Sequence, residues 1–221
     1  TSDLQPGPHE VTFAIPSQNL RWTETITLRP RSELAAWQRE ADWAVTESEC
    51  CTFYYITNTA SERDKIDWLF GAQEQAEQVA TLMDTSFTQP VEITLMPRIL
   101  GHGGFASGEI YISYLDRNYA GSGFDFVLHH EMVHILDARL GGELRPTILA
   151  EGLAVYLTGG HFKPEPLIPR AAALLELTQP ETGLNWYLPL RPLADDFYTS
   201  QHEIGYLQAG ALVEYMIDTW G

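Results

Sequence analysis

Residues 129–134 read His129-His130-Glu131-Met132-Val133-His134, and Glu151 follows on the next segment that reads as a helix. An α-helix turns about 100° per residue, so His130 and His134, at i and i+4, share one face about one turn apart. Two imidazoles so placed can grip one metal ion. Glu131, beside the first of them, points toward water at such an ion and is free to act as a general base.

The elements that must carry these residues are legible around them. Phe124, Phe126, Val127 and Leu128, then Met132, Val133, Ile135 and Leu136, give a helix-like apolar pattern. Gly141 and Gly142 end that helix, as glycine past a C-terminus does. Pro146 opens a second helix running to about Leu157, with proline in its first turn. That helix carries Glu151-Gly152-Leu153-Ala154-Val155-Tyr156.

H-E-x-x-H followed on the next helix by E-G-x-A resembles the gluzincin clan of metallopeptidases, and most closely the peptidase MA-like family, related to the aminopeptidase N and thermolysin families. The resemblance runs from about Phe53 to Gly221. It implies one zinc ion per chain bound by His130, His134 and Glu151, with Glu131 as base. Sixteen residues separate His134 from Glu151, a tighter connection than the aminopeptidase N pattern has. Read on its residues alone, Glu151 is either a ligand or a carboxylate favoured by the helix dipole. Its apolar neighbours Ile148, Leu149, Leu153, Ala154 and Val155 favour the ligand, since a buried carboxylate needs a partner. Glu143, in the loop, is the rival third ligand. His129 points about 100° away from His130 and reads as a packing residue or an outer-shell one. Asp137, one turn past His134, either orients an imidazole or is a solvated helix-end acid.

Two histidines and one glutamate leave a fourth position for water, the mark of a catalytic rather than a structural zinc site. Glu131 would take the water's proton and pass it to a leaving amine. The oxyanion needs a further electrophile, which gluzincins supply as a Tyr or His from a later helix. Ser200-Gln201-His202-Glu203 matches a capping box and predicts a helix to about Thr219. Ile204, Leu207, Ala211, Leu212, Tyr215 and Met216 form its main apolar face. Tyr206 lies on a second stripe with Gly210, Val213 and Ile217, where the resemblance implies the transition-state tyrosine. His202, one turn earlier, is the alternative, and Tyr156 and Tyr198 are further rivals. The bland alternative for Tyr206 and His202 is packing at a helix start.

Val91–Met96 and Glu109–Ser113 read as strands flanking the glycine-rich stretch 101–108, itself either a rim of the cleft or a turn. In zinc peptidases of this general class, the strand before the active-site helix is an edge strand that pairs with extended substrate. Glu109 could hold a substrate amine or be a solvent-facing strand acid, and His102 reads as a loop histidine.

Thirteen basic against thirty acidic residues give a net charge of −17. Nucleic acids and anionic membranes are therefore poor partners. No apolar run is long enough to span a membrane. Cys50 and Cys51 are adjacent and read as free, buried thiols, because neighbouring residues rarely bridge each other. Val11–Ile15 and Thr23–Leu28 suggest two strands, and 32–45 a short helix or a continuation of the strand run. Residues 1–48 thus read as a β-rich lead-in packed on a catalytic domain spanning 49–221. Thr52–Thr57 reads as a strand, and a long helix follows from Ser61 to about Phe87, with Ile66, Leu69, Phe70, Ala76, Val79, Ala80 and Met83 facing the core. A further helix is expected at Leu167–Leu177. The expected fold class is α+β: a zincin-like fold with a mixed-sheet lobe and an active-site helix, followed by a mainly helical lobe. Two functions follow. One is a zinc-dependent peptidase acting on a peptide or protein substrate. The other is an inactive module of the same fold that binds a protein or cell-envelope component. The resemblance implies a secreted or envelope-attached bacterial protein.

Overall fold

The structure, a computed structural model, describes residues 4–97, 99, 103–114, 123–142, 145–161, 166–177, 181, 183, 186–199 and 201–221. Internal contacts divide the chain into Thr1–Asp42 and Trp43–Gly221, so the division falls before 48. In the first unit, β1 (Gly7–Ile15) and β2 (Leu20–Leu28) form an antiparallel hairpin from Gly7↔Leu28 to Ile15↔Leu20. Asn19, with φ of 50°, closes the turn in the left-handed conformation that asparagine tolerates. Phe13 stacks on Trp22 across the pair. Of the residues expected to form a helix or more strand at 32–45, 32 and 33 lie in a 3-10 turn (Arg31–Glu33), α1 (Ala36–Arg39) is a single helical turn and 43–45 begin a strand; Arg31 holds α1 by donating to the carbonyls of Arg39 and Ala41.

The second unit is α+β. Its five-stranded sheet has the order β3-β4-β5-β7-β6, from β3 (Trp43–Glu47), β4 (Cys51–Ile56), β5 (Val91–Met96), β6 (Gly104–Ala106) and β7 (Ile110–Ser113). The sheet is mixed, because β4, β5 and β7 run parallel while β3 and β6 run antiparallel to their neighbours. Cys51, Phe53 and Tyr55 of β4 are buried at every second position, as a pleated strand with one covered face requires. Two helices cover that face: α3 (Lys65–Leu82) and α4 (Phe124–Leu140), whose Trp68, Ala72, Leu128, Met132 and Leu136 share one core with Phe53, Ile93, Leu95, Ile110 and Ile112.

The long helix expected from Ser61 is broken at Asp64, giving a single turn α2 (Ala60–Arg63) before α3. Its inward face holds the expected Ala76 and Val79, with Leu69 and Met83 packed on the core, but differs at its start: Ile66 and Phe70 are exposed, whereas Trp68 and Ala72 are buried. Trp68 sets that rotation. Its ring lies 4.4 Å from that of Phe53, and its Nε1 donates to the Ser61 carbonyl at 2.6 Å. A large ring with a satisfied polar tip outweighs the Ile66 and Phe70 side chains left outside. Cys50 and Cys51 are not free thiols but are joined in a disulfide. Both are buried, because a bend at Glu49–Cys50 precedes β4 and suspends the strand alternation that would separate neighbouring side chains.

A second, helical core is built from α5 (Thr147–Leu157), α6 (Leu167–Glu176), α7 (Leu190–Asp195) and α8 (His202–Trp220). Ser200 lies outside the described residues. The observed cap of α8 is Gln201, whose Oε1 accepts from the Ile204 amide at 2.8 Å. The main face expected on α8 is buried at Ile204 and Leu207 but exposed at Tyr215, and the stripe expected to be secondary also packs inward at Tyr206, Gly210 and Val213, with Ile217 exposed. The cause is a close approach of two backbones. A Cβ on Gly152 would meet the Ala209 carbonyl, and one on Gly210 would meet Val155. The two glycines let α5 and α8 pack at a distance that no other residue permits.

Gly152→Ala should therefore destabilise the second core by about 1–3 kcal/mol, the usual cost of overpacking. Urea denaturation measures it, and an unchanged midpoint would show that the helices separate freely.

Candidate metal centre

α4 places His130 and His134 one turn apart, with ring centroids 4.8 Å from each other. α5 brings Glu151 against both. Its Oε2 lies 3.3 Å from His130 Nε2 and 3.2 Å from His134 Nε2, and the two Nε2 atoms are 3.1 Å apart. These three residues form a group whose donor atoms could hold one metal ion. Donors ~2.05 Å from a tetrahedral ion lie ~3.3 Å from one another, which is the spacing of this triangle. Without a cation, two imidazole lone pairs and a carboxylate oxygen at such distances need a proton to separate them. The donor set therefore fits a divalent ion that accepts nitrogen and carboxylate ligands.

Glu151 is only 6% exposed. Burial pushes its carboxyl up, but the hydrogen bonds and charges of His130 and His134 outweigh that, and the net shift is downward, to the ionised form. For His134 burial opposes the charged ring, yet the Glu151 carboxylate, with Glu131 and Asp137 further off, raises it above its ordinary value. The second oxygen of Glu151 is not left to solvent. Tyr198 donates its hydroxyl to Glu151 Oε1 at 2.7 Å. Oε2 alone thus faces the histidines. Tyr198 stands on the turn Phe197–Thr199 with its ring mostly exposed and its hydroxyl reaching inward.

Tyr206 is buried beside the same carboxylate, boxed by rings. It stacks on His161 at 4.4 Å, lies 4.4 Å from His202 and meets Phe197 edge-on at 5.0 Å. Burial, then the Glu151 charge, raises its hydroxyl well above the usual range, so it stays protonated at neutral pH. His161 is itself buried, and that burial, with the nearby His130 and His202, lowers its ring to about 3. Sequence reasoning passed over His161; its only local signal is its place just past α5, after Gly159-Gly160.

Glu131, Tyr198, Tyr206 and His202 line one open cleft of about 650 Å³ with the three donor residues. The far wall is β6, from the glycine-rich stretch. β7 is an interior strand, so the sheet edge beside the cleft is Gly104–Ala106 rather than the strand expected at Glu109–Ser113. Gly104 is required there, because a Cβ would strike Val127 of α4 at 2.9 Å and the Tyr111 carbonyl at 3.0 Å.

The remaining candidates lie elsewhere. His129 turns into the core, where its Nδ1 meets Gln75 Oε1 at 2.8 Å. Asp137 accepts Arg145 Nε at 2.9 Å and also Nη2, so it braces the α4–α5 turn. Glu109 accepts from Tyr111 at 2.6 Å, and Tyr156 packs on the second core. Glu143 and His102 lie outside the described residues. No described helix is long and apolar enough to cross a membrane.

Partners that hold a metal ligand through its second atom typically contribute 10- to 100-fold in affinity. Tyr198→Phe should weaken the affinity for a divalent ion by about that factor, measured with added zinc by chelator competition; unchanged affinity would make the contact incidental to the metal. No protein-family model matches this chain, and no curated protein matches it.

Proposed function

We propose that the chain is a zinc-dependent peptidase of zincin-like fold that hydrolyses peptide bonds, with His130, His134 and Glu151 as metal ligands. The observation that carries this reading is the donor triangle, 3.1–3.3 Å on each side, with a buried glutamate beside it in a cleft open to substrate. Zinc so held polarises a carbonyl and lowers the pKa of bound water toward neutrality.

The protein's own groups supply the rest. Glu131 lines the cleft, next in sequence to the first ligand. It takes the proton of the attacking water and delivers it to the leaving amine nitrogen. Tyr206, kept protonated by burial and by Glu151, donates a hydrogen bond to the oxygen that gains charge, which is where a fixed donor contributes most. His202, at the cleft wall beside Tyr206, is the alternative donor. The free side of β6 offers main-chain groups to an extended peptide, giving affinity without sequence selectivity.

Two measurements test this. Protein purified without added metal or chelating resin should carry about one zinc per chain by elemental analysis. Absence of metal, with none taken up from zinc solution, would leave a fold that binds a protein or cell-envelope component without cleaving it. Glu131→Gln should retain the metal and lose about 10²–10⁴-fold in kcat on any cleaved peptide; an active variant would remove Glu131 from the mechanism. Tyr206→Phe should lower kcat by about 10²–10³-fold with little change in KM, and a change in KM alone would move the donor role to His202.

A further inference from the structure

The cleft holds one feature that hydrolysis does not require. Among the described residues that line it, Arg145 is the only lysine or arginine. Its guanidinium is fixed, because Nε and Nη2 both donate to Asp137 Oδ2. Asp137 itself is three-quarters buried, and about a third of the Arg145 side chain remains exposed. Nη1 donates to no described residue. Its free edge is a planar pair of donors matched to a second carboxylate.

The place of this group is set by the helix. Asp137, which holds the guanidinium, lies three residues past His134, and a rise of ~1.5 Å per residue puts it ~4.5 Å further along α4. An extended peptide advances about 3.3 Å per residue, so Arg145 lies about one or two residues from the bond at the metal. Thr147, in the first turn of α5, faces the cleft beside it.

We infer that Arg145, oriented by Asp137, is a specificity residue that binds a substrate carboxylate one or two residues from the scissile bond. The carboxylate belongs either to an Asp or Glu side chain or to the substrate's C-terminus. A chain of net charge −17 repels acidic peptides in general. A single pre-oriented cation beside the reaction centre therefore selects by position rather than by overall charge. This inference rests on the peptidase reading for the meaning of the site, but not for its test.

The experiment uses two peptide sets. Acetylated and amidated hexapeptides carry a single Glu or Gln at each position in turn. Uncharged peptides of the same length end in a free carboxylate or an amide. Cleavage is followed with zinc-loaded wild-type protein, and binding by calorimetry with zinc-loaded Glu131→Gln, which needs no turnover. The expected result is a preference of about 10-fold or more for the acid member of one pair, as for a charge-assisted hydrogen bond. Arg145→Gln should abolish that preference, in the Glu131→Gln background for binding, while Arg145→Lys keeps part of it. A preference within the Glu/Gln set identifies a side-chain carboxylate, and one within the carboxylate/amide set identifies the C-terminus. Equal binding of all pairs, no measurable binding of any acid peptide, or a preference that survives Arg145→Gln overturns the inference. A lower thermal midpoint in Arg145→Gln with preference intact would reduce Arg145 to a brace for the turn. If no peptide is cleaved yet acid binding depends on Arg145, the peptidase reading fails and the anion site stands.

Discussion

Burial of the Glu151 carboxylate is the constraint around which this site is arranged. An ionised carboxylate withdrawn from water is costly unless every lone pair finds a partner. Here one oxygen takes the Tyr198 hydroxyl and the other faces His130 and His134. Neither histidine nor tyrosine could be removed without leaving charge stranded. The downward shift of Glu151 and the upward shift of His134 express the same mutual dependence. A divalent ion would satisfy all three donors at once and release the protons that otherwise separate them.

That convergence is made possible by small residues. Gly152, adjacent to Glu151, gives up its side chain so that α8 can lie against α5, and Gly210 does the same from the other helix. The close approach lodges Tyr206 beside Glu151 and stacks it on His161. Gly104 acts in the same way on the opposite wall, where it lets β6 pass over Val127 of α4. The cleft therefore lies between a sheet edge held near α4 by Gly104 and a helix pair brought together by Gly152 and Gly210. Its walls come from both cores, one formed by the sheet with α3 and α4, the other by α5 to α8.

The differences on α3 and α8 share a cause. Apolar periodicity places Ile66 and Phe70 on the inward face of α3, but Trp68 has the larger area to bury and a polar tip with a partner. On α8 apolar spacing marks the face of Ile204 and Leu207, and Gly210 buries a second stripe beside it, because close packing rewards absence of a side chain as much as its presence. Cys50 and Cys51 are joined because a bend interrupts the strand at that point. On both helices the local pattern is modified by what the segment meets across the core, whereas at the cysteines the cause is the local bend.

The sequence by itself determined what depends on near neighbours. The i, i+4 spacing puts His130 and His134 on one helical face whatever surrounds them, and adjacency puts Glu131 beside them. The strand at Val91–Met96 and the helix ends at Gly141 and Pro146 follow from alternation and from backbone stereochemistry. Only the tertiary structure decided which distant residues join them. Tyr198 reaches Glu151 across 47 positions, His161 stacks on a tyrosine of α8, and a three-residue strand from a glycine-rich stretch becomes the edge of the sheet. Contacts of that kind depend on how helices and strands pack, and packing is a property of whole surfaces in three dimensions, which no local spacing records.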